Sequence, residues 1–214
     1  MKIDTIVLGD FEANCYCVRT DETASTCMLI DPGMNPEPLI HFLHRNNLTP
    51  EAVVLTHGHV DHIGGVETVR QHWPKVQVAI SEQDAEMLTD PNKNLSILAG
   101  VLVQARPAEI LFNGQRYFQA AGLHFEIIQT PGHTPGGICL YNSEDQTLFC
   151  GDTLFAGSVG RSDFPGGNHE LLIDRIKHKL LILPEQTRVY PGHGPATTIR
   201  AEKRHNPFLL ESTY

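Results

Sequence analysis

Nowhere does the 214-residue chain hold the roughly 20 consecutive apolar residues that a membrane-spanning helix needs. The opening MKIDTIVLGD also lacks the apolar core of a secretory signal. Basic clusters are scarce as well. Lysine and arginine never run beyond a pair and the formal net charge is -9, which argues against a nucleic-acid partner. Cysteines are few, uneven and odd in number, the five being Cys15, Cys17, Cys27, Cys139 and Cys150, so no disulfide framework is expected. Cys15 and Cys17 stand one residue apart in a strand-like stretch, a spacing that suits packing on one face better than a tetrahedral thiolate pair. Reduced, buried thiols, no membrane partner and a cytoplasmic location are the expectations.

What remains is ordinary globular material. Hydrophobic residues make up 41% and charged residues 19%, enough for one well-buried core, with no low-complexity linker dividing the chain. Short strand candidates come first: IDTIVL (3–8), CYCVR (15–19) and TCMLI (26–30), the last closed by a DPG turn (31–33). Leu39, Ile40, Phe42 and Leu43 recur at helical spacing and predict an amphipathic helix ending near Asn47. AVVL (52–55) reads as a buried strand, followed by a helix carrying Val66, Val69 and Trp73 and stopped by Pro74. VQVAI (76–80) returns to strand and EQDAEML (82–88) to helix. Later strand candidates are RYFQA, LHFEIIQ, GICLYN, QTLFC and TRVY, with a helix predicted over 169–182. Two sheets covered by helices satisfy this order, a layered α/β protein whose strand order periodicity alone does not fix.

The chemistry concentrates directly after AVVL, in VVLTHGHVDHIGG (53–65). His57, His59, Asp61 and His62 fall within six residues where the backbone changes direction at a strand end, so that they can converge. The spacing differs from HExxH, in which two histidines share a helix face. Three later stretches have the same character: QTPGHTPGG carries His133, LFCGDTLF carries Asp152 and VYPGHG carries His193. Each candidate ligand follows a strand among glycines or prolines, where loops from one rim of a sheet scaffold can meet. Five imidazoles and two carboxylates suit borderline divalent ions such as zinc, iron or manganese.

These motifs resemble the metallo-β-lactamase superfamily, and within it the glyoxalase II-like hydrolases. THGHVDHIGG is similar to that family's THxHxDHxGG, and PGHT, GDTLF and PGHG follow in the family's order, so that the resemblance spans Ile3 to about Pro195. It implies an αββα sandwich with a metal cleft at one edge of two sheets. It also implies one ion on His57, His59 and His133, a second on Asp61, His62 and His193, and Asp152 bridging both. Two divalent ions, most simply zinc, would share a hydroxide that attacks a thioester carbonyl, with Asp61 orienting the nucleophile. Less the two carboxylates and the hydroxide, such a centre carries about +1, which favours anionic substrates.

The implied activity is hydroxyacylglutathione hydrolysis, from S-lactoylglutathione to glutathione and D-lactate. Arg161, nine residues after Asp152, stands where glyoxalase II places a glutathione-contacting lysine and is the expected substrate-binding residue. The competing expectation is a local Arg161–Asp163 pair that supports the loop. Two features depart from glyoxalase II. Pro195 replaces a tyrosine, and the 21 residues after His193 are too few for the C-terminal helical domain that helps grip glutathione. The expectation is therefore one catalytic domain over residues 1–214, with EKRHNPFL (202–209) similar to the closing tail of short relatives. The rival within the superfamily is a persulfide dioxygenase with one iron, because GRSDF (160–164) is similar to a segment of that group. A non-catalytic metal-stabilised binding protein is the remaining class, and it would need a closed four-ligand site.

Overall fold

A computed structural model describes residues 1–210. Six strands form the first sheet in sequence order: β1 (Lys2–Leu8), β2 (Ala13–Arg19), β3 (Thr26–Ile30), β4 (Thr49–Val54), β5 (Gln77–Ser81) and β6 (Ile110–Phe112). β1, β2 and β3 are joined by antiparallel pairing, and β3 to β6 run parallel. The second sheet contains β7 (Tyr117–Ala120), β8 (Leu123–Gln129), β9 (Ile138–Asn142) and β10 (Thr147–Gly151) as an antiparallel meander. A small hairpin of β11 (Leu154–Phe155) and β12 (Ser158–Val159) follows. β13 (Arg188–Pro191) then lies parallel to β10, and β14 (Thr197–Thr198) closes the edge.

Alternation along the strands decides the layers. Tyr16, Val18, Met28, Ile30 and Val54 of the first sheet meet Phe125, Ile127, Leu140, Phe149 and Tyr190 of the second in one buried cluster. The intervening residues Cys15, Cys17, Cys27, Leu29 and Val53 face the opposite way. They pack against α1 (Glu37–Arg45) and α3 (Val66–His72) through Leu39, Leu43, Val66 and Val69. Behind the second sheet, Cys139, Cys150 and Val189 pack on Leu172 of α4 (His169–Arg175) and Ile199 of α5 (Ile199–His205). The result is the αββα sandwich, with Cys15 and Cys17 on one face as their spacing predicts. All five cysteines are free and buried, and burial pushes the Cys139 thiol up to about 11.

Two helices differ in detail from the periodic reading. Residues 82–88 wind as a 3₁₀ helix, and the segment predicted over 169–182 is α only to Arg175 before a π turn over Ile176–Leu180. Asn168 starts α4 by accepting from the Leu171 amide at 3.0 Å. Among the described residues no helix is long and apolar enough to cross a membrane.

Strand direction places the chemistry. β3 and β4 are parallel, so Asp31 and the His57 turn emerge from the same rim of the first sheet. In the second sheet β8, β10 and β13 share one direction and release His133, Asp152 and His193 from their carboxyl ends. Hydrogen bonds from the Ile138 amide to the Thr56 carbonyl (2.9 Å) and from the Asn14 amide to the Gly192 carbonyl (2.7 Å) stitch the two rims together. Carboxyl ends of strands are where sheet scaffolds commonly build their sites.

Candidate metal centre

The turn after β4 supplies His57 and His59, and the single-turn helix α2 (Val60–Ile63) adds Asp61 and His62. Thr130–His133 follows β8, and the Gly192–His193 turn follows β13. Three donor groups have candidate ligand atoms within 4.8 Å of one another: Asp31, His57 and His62 overlap two clusters, one of His57, His59 and His133 and one of Asp61, His62 and His193. Asp152 lies between them. Its Oδ1 is 3.4 Å from His62 Nε2, and its Oδ2 is 3.7 Å from His133 Nε2 and 3.6 Å from His193 Nε2. The structure therefore gathers all seven residues singled out in the sequence as candidate ligands.

Backbone and side-chain acceptors fix which ring nitrogen points inward. His133 Nδ1 donates to the Arg161 carbonyl at 2.7 Å, and His193 Nδ1 donates to the Phe11 carbonyl at 2.9 Å. His62 Nδ1 donates to Asp31 Oδ2 at 3.0 Å, and His57 Nδ1 lies 3.1 Å from Thr56 Oγ1. Those four rings thus present Nε2 to the centre, whereas His59 presents Nδ1, 2.9 Å from His133 Nε2.

The fit of a metal pair rests on what the protein leaves unmatched. His57 Nε2, His62 Nε2 and Asp152 Oδ1 are all buried without a protein hydrogen-bond partner. Three buried, inward-facing polar atoms without partners are costly, and a cation held by them would remove that cost. Electrostatics says the same. Burial and the surrounding imidazoles push His57 far below the ordinary histidine range and His59 down to about 3. Burial also pulls on His62, but Asp61 and Asp152 outweigh it and hold that ring well above its usual value. Asp61 and Asp152 are held low against burial by the histidines beside them. Neutral His57 and His59, with carboxylates that stay ionised beside His62, make a ligand set in which a divalent cation can take the place of the His62 proton.

Close packing explains the glycines of these turns. A Cβ on Gly192 would collide with Asp152 Oδ1 and come within 2.7 Å of His62 Cε1. A Cβ on Gly65 would meet the Gly33 carbonyl oxygen at 2.7 Å.

Beside the donors lies a cleft of about 450 Å³, lined by Asp61, Asp152 and His193 together with Phe11, Leu95, Leu98, Arg161 and Phe164. Arg161 reaches this cleft and also forms the local pair. Its Nε and Nη2 each donate to Asp163 at 2.8 Å, and its guanidinium carbon sits 3.8 Å from the Phe164 ring centre.

Sequence reasoning missed Asp31, which reads as an ordinary turn residue in DPG. It stands in the left-handed region (φ 51°), where aspartate is tolerated, and it accepts from the Thr56 amide, Thr56 Oγ1 and His62. Asp84 was missed too. It accepts from Thr134 Oγ1 at 2.7 Å and the Gly136 amide at 2.6 Å, which braces the His133 loop, and burial raises its carboxyl above the usual range.

An αββα sandwich with two donor clusters sharing a carboxylate at the sheet rims defines a metal-dependent enzyme scaffold with room for two ions. The chain belongs to the metallo-beta-lactamase superfamily, whose profile matches residues 8–193. It is 38% identical over 210 residues to "Probable metallo-hydrolase YqgX" of Bacillus subtilis, a match covering 98% of both chains. It is 36% identical over 210 residues, again 98% of both, to "Hydroxyacylglutathione hydrolase GloC" of Haemophilus influenzae. Among solved structures it is similar to the BLEG-1 B3 metallo-beta-lactamase (TM-score 0.93, 40% identity, 98% of this chain and 100% of that one). It is similar also to TTHA1623 in a di-iron-bound form (TM-score 0.83, 37% identity, 96% and 100%). ETHE1 from Myxococcus xanthus matches with TM-score 0.76 at 30% identity, covering 97% of this chain and 84% of that one. Metal-dependent hydrolase or dioxygenase chemistry is the range these relatives and this donor set define.

Proposed function

We propose that the protein is a two-metal thioester hydrolase of the hydroxyacylglutathione hydrolase kind, working as a single catalytic domain and converting S-lactoylglutathione to glutathione and D-lactate. The observation that carries this reading is Asp152, whose Oδ2 lies between His133 of one donor cluster and His193 of the other, with Oδ1 beside His62. In it His57, His59 and His133 would hold one ion, Asp61, His62 and His193 the other, and Asp152 both. Zinc suits this mixed nitrogen and oxygen set, as iron and manganese also do. Two such ions would supply a Lewis acid for the carbonyl oxygen and water acidified to near neutral pH.

The protein's own groups do the rest. Asp61 faces the cleft and accepts a hydrogen from the attacking water, which orients its lone pair toward the carbonyl carbon. Thr56 Oγ1, Asp31 and the Arg161 and Phe11 carbonyls hold the His57, His62, His133 and His193 rings through their Nδ1 atoms, so little reorganisation is needed during reaction. Thiolate is a good leaving group, with a conjugate-acid pKa of about 8.5 for a free cysteine thiol, so a dedicated general acid is dispensable. Arg161, at the mouth of the cleft, would meet a carboxylate of the glutathione portion.

Metal analysis and turnover of S-lactoylglutathione test the proposal together. Two ions per chain and hydrolysis are expected. The similarity to ETHE1 and to a B3 metallo-beta-lactamase calls for persulfide-dependent oxygen uptake and β-lactam opening to be measured alongside. One iron per chain with oxygen uptake and no hydrolysis would replace this reading with the dioxygenase one.

A further inference from the structure

The lining of the cleft beside the donor clusters includes several apolar side chains. Leu95, Leu98, Phe11 and Val60 all line it, and two of them meet water freely, Leu98 at 71% and Phe11 at 49% exposure. A single exposed leucine is unremarkable on a protein surface. Several apolar side chains converging on one reactive cleft mark a binding wall.

Their placement is built into the fold. Leu95 sits at φ 67°, a left-handed conformation that a branched side chain adopts at a cost and that persists only where the surroundings impose it. The imposing residue is Asn94, fully buried. Its side-chain amide donates to the Met87 and Val103 carbonyls at 2.9 Å each, and its Oδ1 accepts from the Ser96 amide at 2.9 Å. The Asn94 carbonyl accepts from the Val60 amide at 2.9 Å, at the start of the helical turn that carries Asp61 and His62. The backbone leading into Leu95 is thereby tied to the turn that carries Asp61 and His62.

The polar side of the cleft offers less than its sequence suggested. Arg161 already spends Nε and Nη2 on Asp163 and one face on Phe164. An anionic group gains a partly neutralised partner there and nothing from the leucines, whereas an apolar chain gains the whole wall.

Resting on the thioesterase reading above, we propose that Leu95, Leu98 and Phe11 form an acyl-chain subsite that extends the substrate range beyond the lactoyl group and favours longer apolar acyl chains over short ones. Hydrolysis forms a C–O bond from water and breaks the C–S bond, releasing a carboxylic acid and a thiol. With the carbonyl carbon over the metal floor, chain and sulfur leave it in different directions. The chain follows the leucines and the charged thiol portion the Arg161 side.

The test uses the metal-loaded protein and glutathione thioesters of lactoyl, acetyl, butyryl and hexanoyl groups. kcat/KM is expected to rise about two- to fourfold per methylene, the increment for partial to full burial of each CH₂. Leu98→Asp is expected to lower the hexanoyl-to-acetyl ratio about tenfold or more, a ratio within one variant that a change in the fraction folded does not move. Leu95→Ser should lower the same ratio. A wild-type ratio near one, or a high ratio that neither variant lowers, overturns the subsite. Length dependence found instead along S-alkyl thiols carrying a fixed acetyl group overturns its assignment to the acyl chain. No turnover of any thioester by the two-metal protein overturns the thioesterase reading itself, and the subsite falls with it.

Discussion

Asp31 Oδ2 lies 3.0 Å from His62 Nδ1, and the same oxygen accepts from Thr56 Oγ1 at 2.6 Å, whose own partner is His57 Nδ1. One buried carboxylate therefore orients a ring in each donor cluster, His62 directly and His57 through a hydroxyl. Asp31→Ala is expected to weaken both metal positions by about ten- to a hundredfold, the range for loss of such outer partners. Thr56→Val should weaken the His57 position alone. A chelator-competition titration separates the two, and an Asp31 variant that loses affinity at one position only would contradict the shared role.

Asp152→Ala removes the carboxylate between the clusters. Bound metal should fall from two ions per chain toward one, and thioester turnover by more than about a hundredfold, beyond the loss of an outer partner. Elemental analysis beside steady-state kinetics checks this. Ordinary turnover in the variant would refute the dinuclear mechanism.

Gly192→Ala keeps an ordinary backbone conformation but drives a methyl group into Asp152 Oδ1 and His62. The expected result is a folded chain, by circular dichroism, whose metal affinity drops at least about tenfold. Wild-type affinity would show that Asp152 moves aside freely.

Acid should act on the metal-stripped protein through the depressed histidines. His59 titrates near 3 when folded and near 6.5 when unfolded, so between those values the unfolded chain binds more protons. Its contribution is complete above about 6.5 and is lost as pH falls toward 3. His57 acts in the same direction, and His62 and His193, whose values are raised, act in the opposite one. Urea melts across that range should show a His59→Gln variant losing less stability on acidification than wild type. Equal slopes would remove His59 from the account.

Arg161→Met should raise KM for glutathione esters about threefold to tenfold while leaving thioesters of uncharged thiols nearly unchanged, consistent with an exposed ionic contact. Because Asp163 already occupies two guanidinium nitrogens, Asp163→Asn should lower the same KM. Kinetics on the paired substrates reads both effects.

The candidate ligand residues that the structure gathers were legible because each follows a short apolar strand and sits among glycines or prolines, all within local motifs. Their partners were not. Asp31 looks like any turn aspartate until β3 is known to run parallel to β4, which puts it against Thr56 and His62. The layers could be read from alternation, as with Cys15 and Cys17, but not the strand order, which depends on pairings between distant segments. Residues 82–88 carry an amphipathic pattern that a 3₁₀ helix satisfies as well as an α-helix over so short a span. Leu95 and Leu98 gave no signal, since what marks them is a backbone conformation and a missing cover.

The bond from His193 Nδ1 to the Phe11 carbonyl spans 182 positions, and Asn14 Nδ2 donates to the Pro191 and Gly194 carbonyls beside it. The β1–β2 hairpin thus grips the turn that carries His193. Assembly of the second donor cluster is therefore a long-range folding event, because His193 reaches Asp61 only after β13 has docked beside β10.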